Sequence, residues 1–149
     1  MTNLRTRVVE LKKGSRDLAE MVHNYRFVMA FENKEQPDFS IENAAKAIHE
    51  YFRKKKNVLG LFSGEKLVGF AVVDNPRKGK KGYWLECLYV APDFRGAGNA
   101  SRLFDYARGI AKKGGAEGLN VPVSPDNEAM INFLRKKGYT SEGPEYFNE

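Results

Sequence analysis

Apolar residues recur with two different periods along this chain, and the switches between them divide it into elements. Residues 7–11 read as a short first strand. Ser15 then suits a helix N-cap, and Leu18, Met21, Val22, Tyr25, Val28 and Met29 follow at helical spacing. The polar stretch 31–38, ending in Pro37-Asp38, is expected to break that helix. Ser40 can cap a second helix, with Ile41, Ala44, Ala45, Ile48 and Phe52 along one face. Two apolar runs, 58–62 and 67–73, joined by Ser63-Gly64-Glu65-Lys66, read as a hairpin. A basic turn over 75–82 leads into a strand ending at Val90.

A further helix is expected to begin near Gly98, with Ala100, Leu103, Phe104, Ala107, Ile110 and Ala111 inward and Gly114-Gly115 as its stop. Residues 119–123 form another strand, in which Pro122 favours an edge, a bulge or a strand end. A last helix opens at Asn127, and a tail over 139–149 supplies a final strand. The order β-α-α-β-β-β-α-β-α-β suits an α/β fold with a mixed sheet and helices on both faces. No internal repeat or linker interrupts it, so residues 1–149 are expected to form a single domain.

Composition narrows the class. With 149 residues, 42% apolar and 12% aromatic, the chain can bury an ordinary core. No apolar run approaches a membrane span and residues 1–5 do not resemble a signal peptide, so a soluble cytoplasmic protein is expected. The single cysteine, Cys87, rules out an internal disulfide and a cysteine-based zinc site, and no metal is expected. His23 and His49 lie in helices without a partner motif and read as structural or surface residues. The net charge of +6 gathers at 53–56, 77–81, 112–113 and 135–137. Most of these clusters follow or end helices, where cations complement the dipole; attraction of a polyanionic cofactor is the second reading. Nucleic-acid binding has little support, since no aromatic–basic interleaving or nucleic-acid module is present.

The segment from Val90 to Ser101 carries the chemistry. A glycine-rich turn between a strand and a helix aims free backbone N–H groups at one point, a setting for phosphate. Gly96 and Gly98 let the backbone approach the anion, and Arg95 adds a charged donor. A P-loop fails, because no Gly-Lys-Ser/Thr follows. A dinucleotide fingerprint would need glycine where Ser101 stands, and its acidic residue, about 20 residues on, would be Glu117, which precedes a strand instead of ending one.

Arg95-x-x-Gly98-x-Ala100, preceded by Val90-Ala91-Pro92, resembles the Arg/Gln-x-x-Gly-x-Gly/Ala signature of the GNAT N-acetyltransferase superfamily. Residues 127–139, an Asn-led helix ending in Lys136-x-Gly138-Tyr139, resemble that family's second motif in the family's order. The resemblance implies a mostly antiparallel sheet whose central strands splay apart, and acetyl-coenzyme A as co-substrate. It implies pyrophosphate held by the loop Arg95, Gly96, Ala97, Gly98, Asn99, Ala100 and Ser101. It also implies a pantetheine arm pairing with Leu88, Tyr89 and Val90 and touching Asn127.

Acetyl transfer to an amine requires a neutral nucleophile, so a carboxylate near the amine is the usual device. Glu86, the one carboxylate in an otherwise apolar strand, is the candidate; anchoring a loop by an ion pair is its alternative role. The run 84–90 is similar to the Leu-Glu-Asp-x-x-Val strand of the spermidine/spermine branch, with Cys87 in place of Asp. Many family members place tyrosine seven residues after the motif's Asn to protonate the leaving thiolate; here that position is Leu134. Tyr89 and Tyr139 could substitute, although core packing suits both better. Asn99 replaces the usual Ile and Met130 the usual Ala. Cys87 reads as a small core residue. Glu32, Glu35 and Asp38 could attract a cationic acceptor.

The leading expectation is direct transfer from acetyl-coenzyme A to a small amine, a polyamine or a peptide or protein amine in a ternary complex, with a homodimer allowed. The alternative is a non-catalytic coenzyme A-binding module.

Overall fold

The computed structural model describes residues 5–33, 40–78, 81–141 and 146–148. Its elements run β1 (Thr6–Glu10), α1 (Arg16–Asn33), α2 (Ile41–Arg53), β2 (Asn57–Ser63), β3 (Lys66–Asp74) and β4 (Tyr83–Val90). After a 3-10 turn at Pro92–Phe94 come α3 (Asn99–Lys113), β5 (Leu119–Pro122), α4 (Glu128–Lys136), β6 (Thr140–Ser141) and β7 (Tyr146–Asn148). The strands form one sheet in the order β1-β2-β3-β4-β5-β7-β6. Every neighbouring pair is antiparallel except β4 and β5.

Ser15 and Ser40 cap the first two helices as expected, their hydroxyls accepting the amides of Leu18 and Asn43 at 3.1 Å. The helix starting at Arg16 runs through Phe31, Glu32 and Asn33, beyond the expected break. Those three residues include no glycine or proline, so nothing local stops the turn there. Glu35 and Asp38 lie outside the described residues. The tail forms two strands, because β7 folds back to pair with both β5 and β6. Basic clusters do fill the last turns of α2, α3 and α4, in line with the dipole reading.

The sheet separates two apolar layers. One packs Leu59, Val68 and Leu85 against Leu103, Phe104 and Ala107 of α3, with Leu134 of α4. The other packs Phe70, Val72 and Cys87 against Leu18 and Val22 of α1 and Ile48 of α2. No helix among the described residues is long and apolar enough to cross a membrane.

Two departures from a regular sheet create the site. β4 and β5 pair only at Tyr83–Leu119 and Trp84–Asn120, and then part. The β3–β4 register also shifts, so that Val72 faces Cys87 while Val73 faces Leu85. Glu86 is the extra residue of that bulge. Leu85 and Cys87, two positions apart, therefore pack in opposite layers, where strict alternation would place them together.

Candidate active site

The glycine turn has the expected form. Gly96 and Gly98 have φ of 80° and 78°, left-handed values that favour glycine. A Cβ at either position would meet nothing within 4 Å, so the turn borders open space. Gly98 is the N-cap of α3, and the first helical bond, from the Arg102 amide to the Gly98 carbonyl, is 3.1 Å. The amides of Asn99, Ala100 and Ser101 are left without intrahelical partners, a ready anion site.

Asn99 contributes its backbone to that site and its side chain to the scaffold. It is buried, accepts from Thr6 Oγ1 at 2.6 Å and Arg102 Nη1 at 2.7 Å, and donates to the Phe94 carbonyl at 2.9 Å. A polar residue where an apolar one is usual thus ties the loop to β1. Arg95 donates from Nε to the Val90 carbonyl at 2.8 Å, and its guanidinium lies 5.4 Å from the Tyr89 ring centre.

A cleft of about 340 Å³ runs from this loop between Leu88, Tyr89 and Val90 of β4 and Asn127, Met130 and Phe133 of α4. The Ala91 amide bonds to Val68 of β3 at 2.8 Å. By alternation, the polar backbone of Val90 and Leu88 faces the other way, into the gap. That edge can pair with an extended amide-bearing ligand as a further strand would. Asn127 caps α4, its Oδ1 accepting the Met130 amide at 3.2 Å, and it also lines the cleft.

At the bulge the cleft meets a smaller recess of about 90 Å³ that Glu86 lines. Glu86 is not a free carboxylate. Its Oε1 accepts from Lys56 Nζ at 2.5 Å, and Lys56 is also 3.9 Å from Asp74, itself paired with Arg77 at 3.2 Å. The Lys56 side chain is 9% exposed and that of Glu86 22%. Sequence reading missed Lys56 as part of the site, since it stands in a basic cluster 30 residues away. Cys87 sits beside the Tyr51 hydroxyl at 3.7 Å, and burial pushes its thiol up to about 11. Such a thiol is not a nucleophile at neutral pH.

The last helix supplies no proton donor to the cleft. Leu134 is fully buried in the α3 layer, while the residue of that turn facing the cleft is Phe133. Tyr139 is buried against Phe104, with ring centres 5.3 Å apart. Leu134→Tyr therefore puts a larger polar side chain into the core. It should lower stability by about 1–3 kcal/mol in thermal or denaturant unfolding, with no gain in turnover.

Strands that part after two parallel pairs, a glycine turn at a helix start and Glu86 at the far end of the gap are the geometry of this site. The acetyltransferase (GNAT) family profile matches residues 19–139, and the chain belongs to that family. It is thus an N-acetyltransferase with acetyl-coenzyme A as co-substrate. Among solved structures it is similar to an N-acetyltransferase from Staphylococcus aureus, at 21% identity and TM-score 0.73, over 93% of this chain and 86% of that one. It is also similar to a ribosomal-protein-alanine N-acetyltransferase from Brucella melitensis, at 18% identity and TM-score 0.71, over 95% of each chain. PaiA N-acetyltransferase from Thermoplasma acidophilum, in complex with coenzyme A, aligns at 18% identity and TM-score 0.68 over 97% of each chain. A sequence comparison with curated proteins finds no match.

Proposed function

We propose that residues 1–149 act as one domain that moves an acetyl group to a primary amine by direct attack in a ternary complex. The observation that carries this reading is the junction of the two cavities, which share Tyr25, Leu88, Asn127 and Met130. A coenzyme with its pyrophosphate on residues 95–101 and its arm along Leu88–Val90 would bring its thioester to that junction, beside Glu86. The solved complex of PaiA with coenzyme A, of the same fold, supports a ligand of this kind. Glu86 would orient the acceptor ammonium and take its proton through Oε2, while Lys56 holds Oε1.

The recess also bears on the acceptor. Among the described residues, Glu86 is the one carboxylate lining it, and Lys56 already neutralises that charge. A polyamine would find no second negative charge there, so a peptide or small monoamine fits better. A non-catalytic coenzyme-binding role draws its support from the same ion pair and from the proton-free Phe133 and Leu134.

The test follows thiol release from acetyl-coenzyme A with a panel of small primary amines, spermidine and peptides bearing free α-amines or lysines. Release that depends on a peptide or monoamine, and exceeds that with spermidine, is expected. Tight coenzyme binding with no release for any amine would instead establish the binding module.

A further inference from the structure

The leaving thiolate needs a proton, and the helix that supplies one in the resembling pattern presents Ala129, Met130 and Phe133 to the cleft, none with an acidic proton. The first helix reaches the same place from the other side. Tyr25 of α1 lines both cavities at their junction. Its ring stands edge-on to Phe70, at 5.6 Å and 79°, and to Tyr89, at 6.3 Å and 86°. These contacts fix the ring against β3 and β4. Its hydroxyl donates to the Glu86 backbone carbonyl at 3.2 Å, longer than the usual O–H···O bond and readily exchanged for another acceptor.

Of the four residues shared by the two cavities, Leu88 and Met130 carry no acidic proton and Asn127 carries only an amide. We propose that Tyr25 is the proton donor to the departing coenzyme A thiolate. The inference rests on the thioester placement given under the proposed function.

The step balances. The amine lone pair forms a bond to the thioester carbonyl carbon, and the C–S bond breaks with its electron pair leaving on sulfur. Sulfur takes the Tyr25 hydroxyl proton. The surplus proton on nitrogen passes to Glu86 or water, and solvent reprotonates the phenolate. Burial first, then the neighbouring Cys87 thiol, Tyr51 hydroxyl and Glu86 carboxylate, push the Tyr25 phenol well above its ordinary range. Lys56, paired to that carboxylate, is the nearby cation. The hydroxyl thus stays protonated throughout the neutral range, but the same burial makes it a weaker acid than the coenzyme thiol, so its proton passes to sulfur only as solvent replaces it.

The experiment uses the whole chain, acetyl-coenzyme A and hydroxylamine, a nucleophile that is uncharged at neutral pH and needs no base. Tyr25→Phe should lower kcat for thiol release about 100-fold. Coenzyme affinity, read by calorimetry, should stay within about threefold of wild type, which also shows that the variant folds. The solvent deuterium isotope effect on kcat should be present in the wild type and absent in the variant, a change that a packing role would not produce. A variant that binds coenzyme and keeps half the wild-type kcat, or keeps the isotope effect, overturns the proposal. Wild type that binds coenzyme but releases no thiol overturns it too, leaving the cleft assignment standing. Wild type that binds no coenzyme overturns cleft and donor together.

Discussion

Glu86→Gln is expected to lower amine-dependent turnover about 100-fold at neutral pH, with acetyl-coenzyme A affinity nearly unchanged. Glutamine keeps the size of the side chain and can still accept from Lys56, so the scaffold is little disturbed. What it loses is the ability to take a proton from an ammonium. The loss should fall on kcat and on the amine KM, because Glu86 lines the acceptor recess and not the coenzyme cleft. Hydroxylamine, already neutral, should be much less affected. Steady-state kinetics with the best amine and with hydroxylamine separate these cases. If Glu86 served only to anchor Lys56, Lys56→Met and Glu86→Gln would depress both reactions alike. A drop confined to the protonated amine identifies Glu86 as the acceptor-side base.

Gly98→Glu is expected to weaken acetyl-coenzyme A binding by at least about 100-fold, equivalent to about 2.7 kcal/mol. Two effects act together. The left-handed φ of 78° strains any residue with a Cβ, and the new carboxylate enters the open space in front of the helix start. There it would compete with the pyrophosphate for the amides of Asn99 to Ser101 and repel it. Gly98→Ala carries the backbone strain without the charge and separates the two. Thermal unfolding with and without coenzyme reads the result, since a ligand at 100 times its Kd stabilises by about 2.7 kcal/mol. The wild type should show that shift, Gly98→Ala most of it and Gly98→Glu no more than about 0.4 kcal/mol.

Local features of this site were legible in the residues. Gly96, Gly98 and Arg95 act within a few positions of each other, so their spacing alone conveys a turn that presents amides. The cap at Asn127 and the two serine caps are equally local. What was hidden depends on distant partners. The Thr6–Asn99–Arg102 cluster joins β1 to a loop 93 residues away, and nothing near Asn99 announces it. The Lys56–Glu86 pair spans 30 residues and forms because the end of α2 lies against a β4 bulge. A bulge is a property of two strands in register, so the strand 83–90 read alone cannot reveal it. The same limit applies to α4. Counting from Asn127 reaches Leu134, but helix packing rotates that residue into the core and Phe133 into the cleft. Tyr25 illustrates the converse: its helical spacing reads as core, and only the placement of α1 over the β4 gap brings its hydroxyl to the junction.

The central claim is that the gap beside β4, from Gly98 to Glu86, holds acetyl-coenzyme A. Calorimetric titration of the folded wild-type chain with acetyl-coenzyme A tests it most directly. One site with micromolar affinity, lost in Gly98→Glu, is the predicted result. A folded chain that gives no binding heat and no thermal stabilisation with the coenzyme would contradict the account.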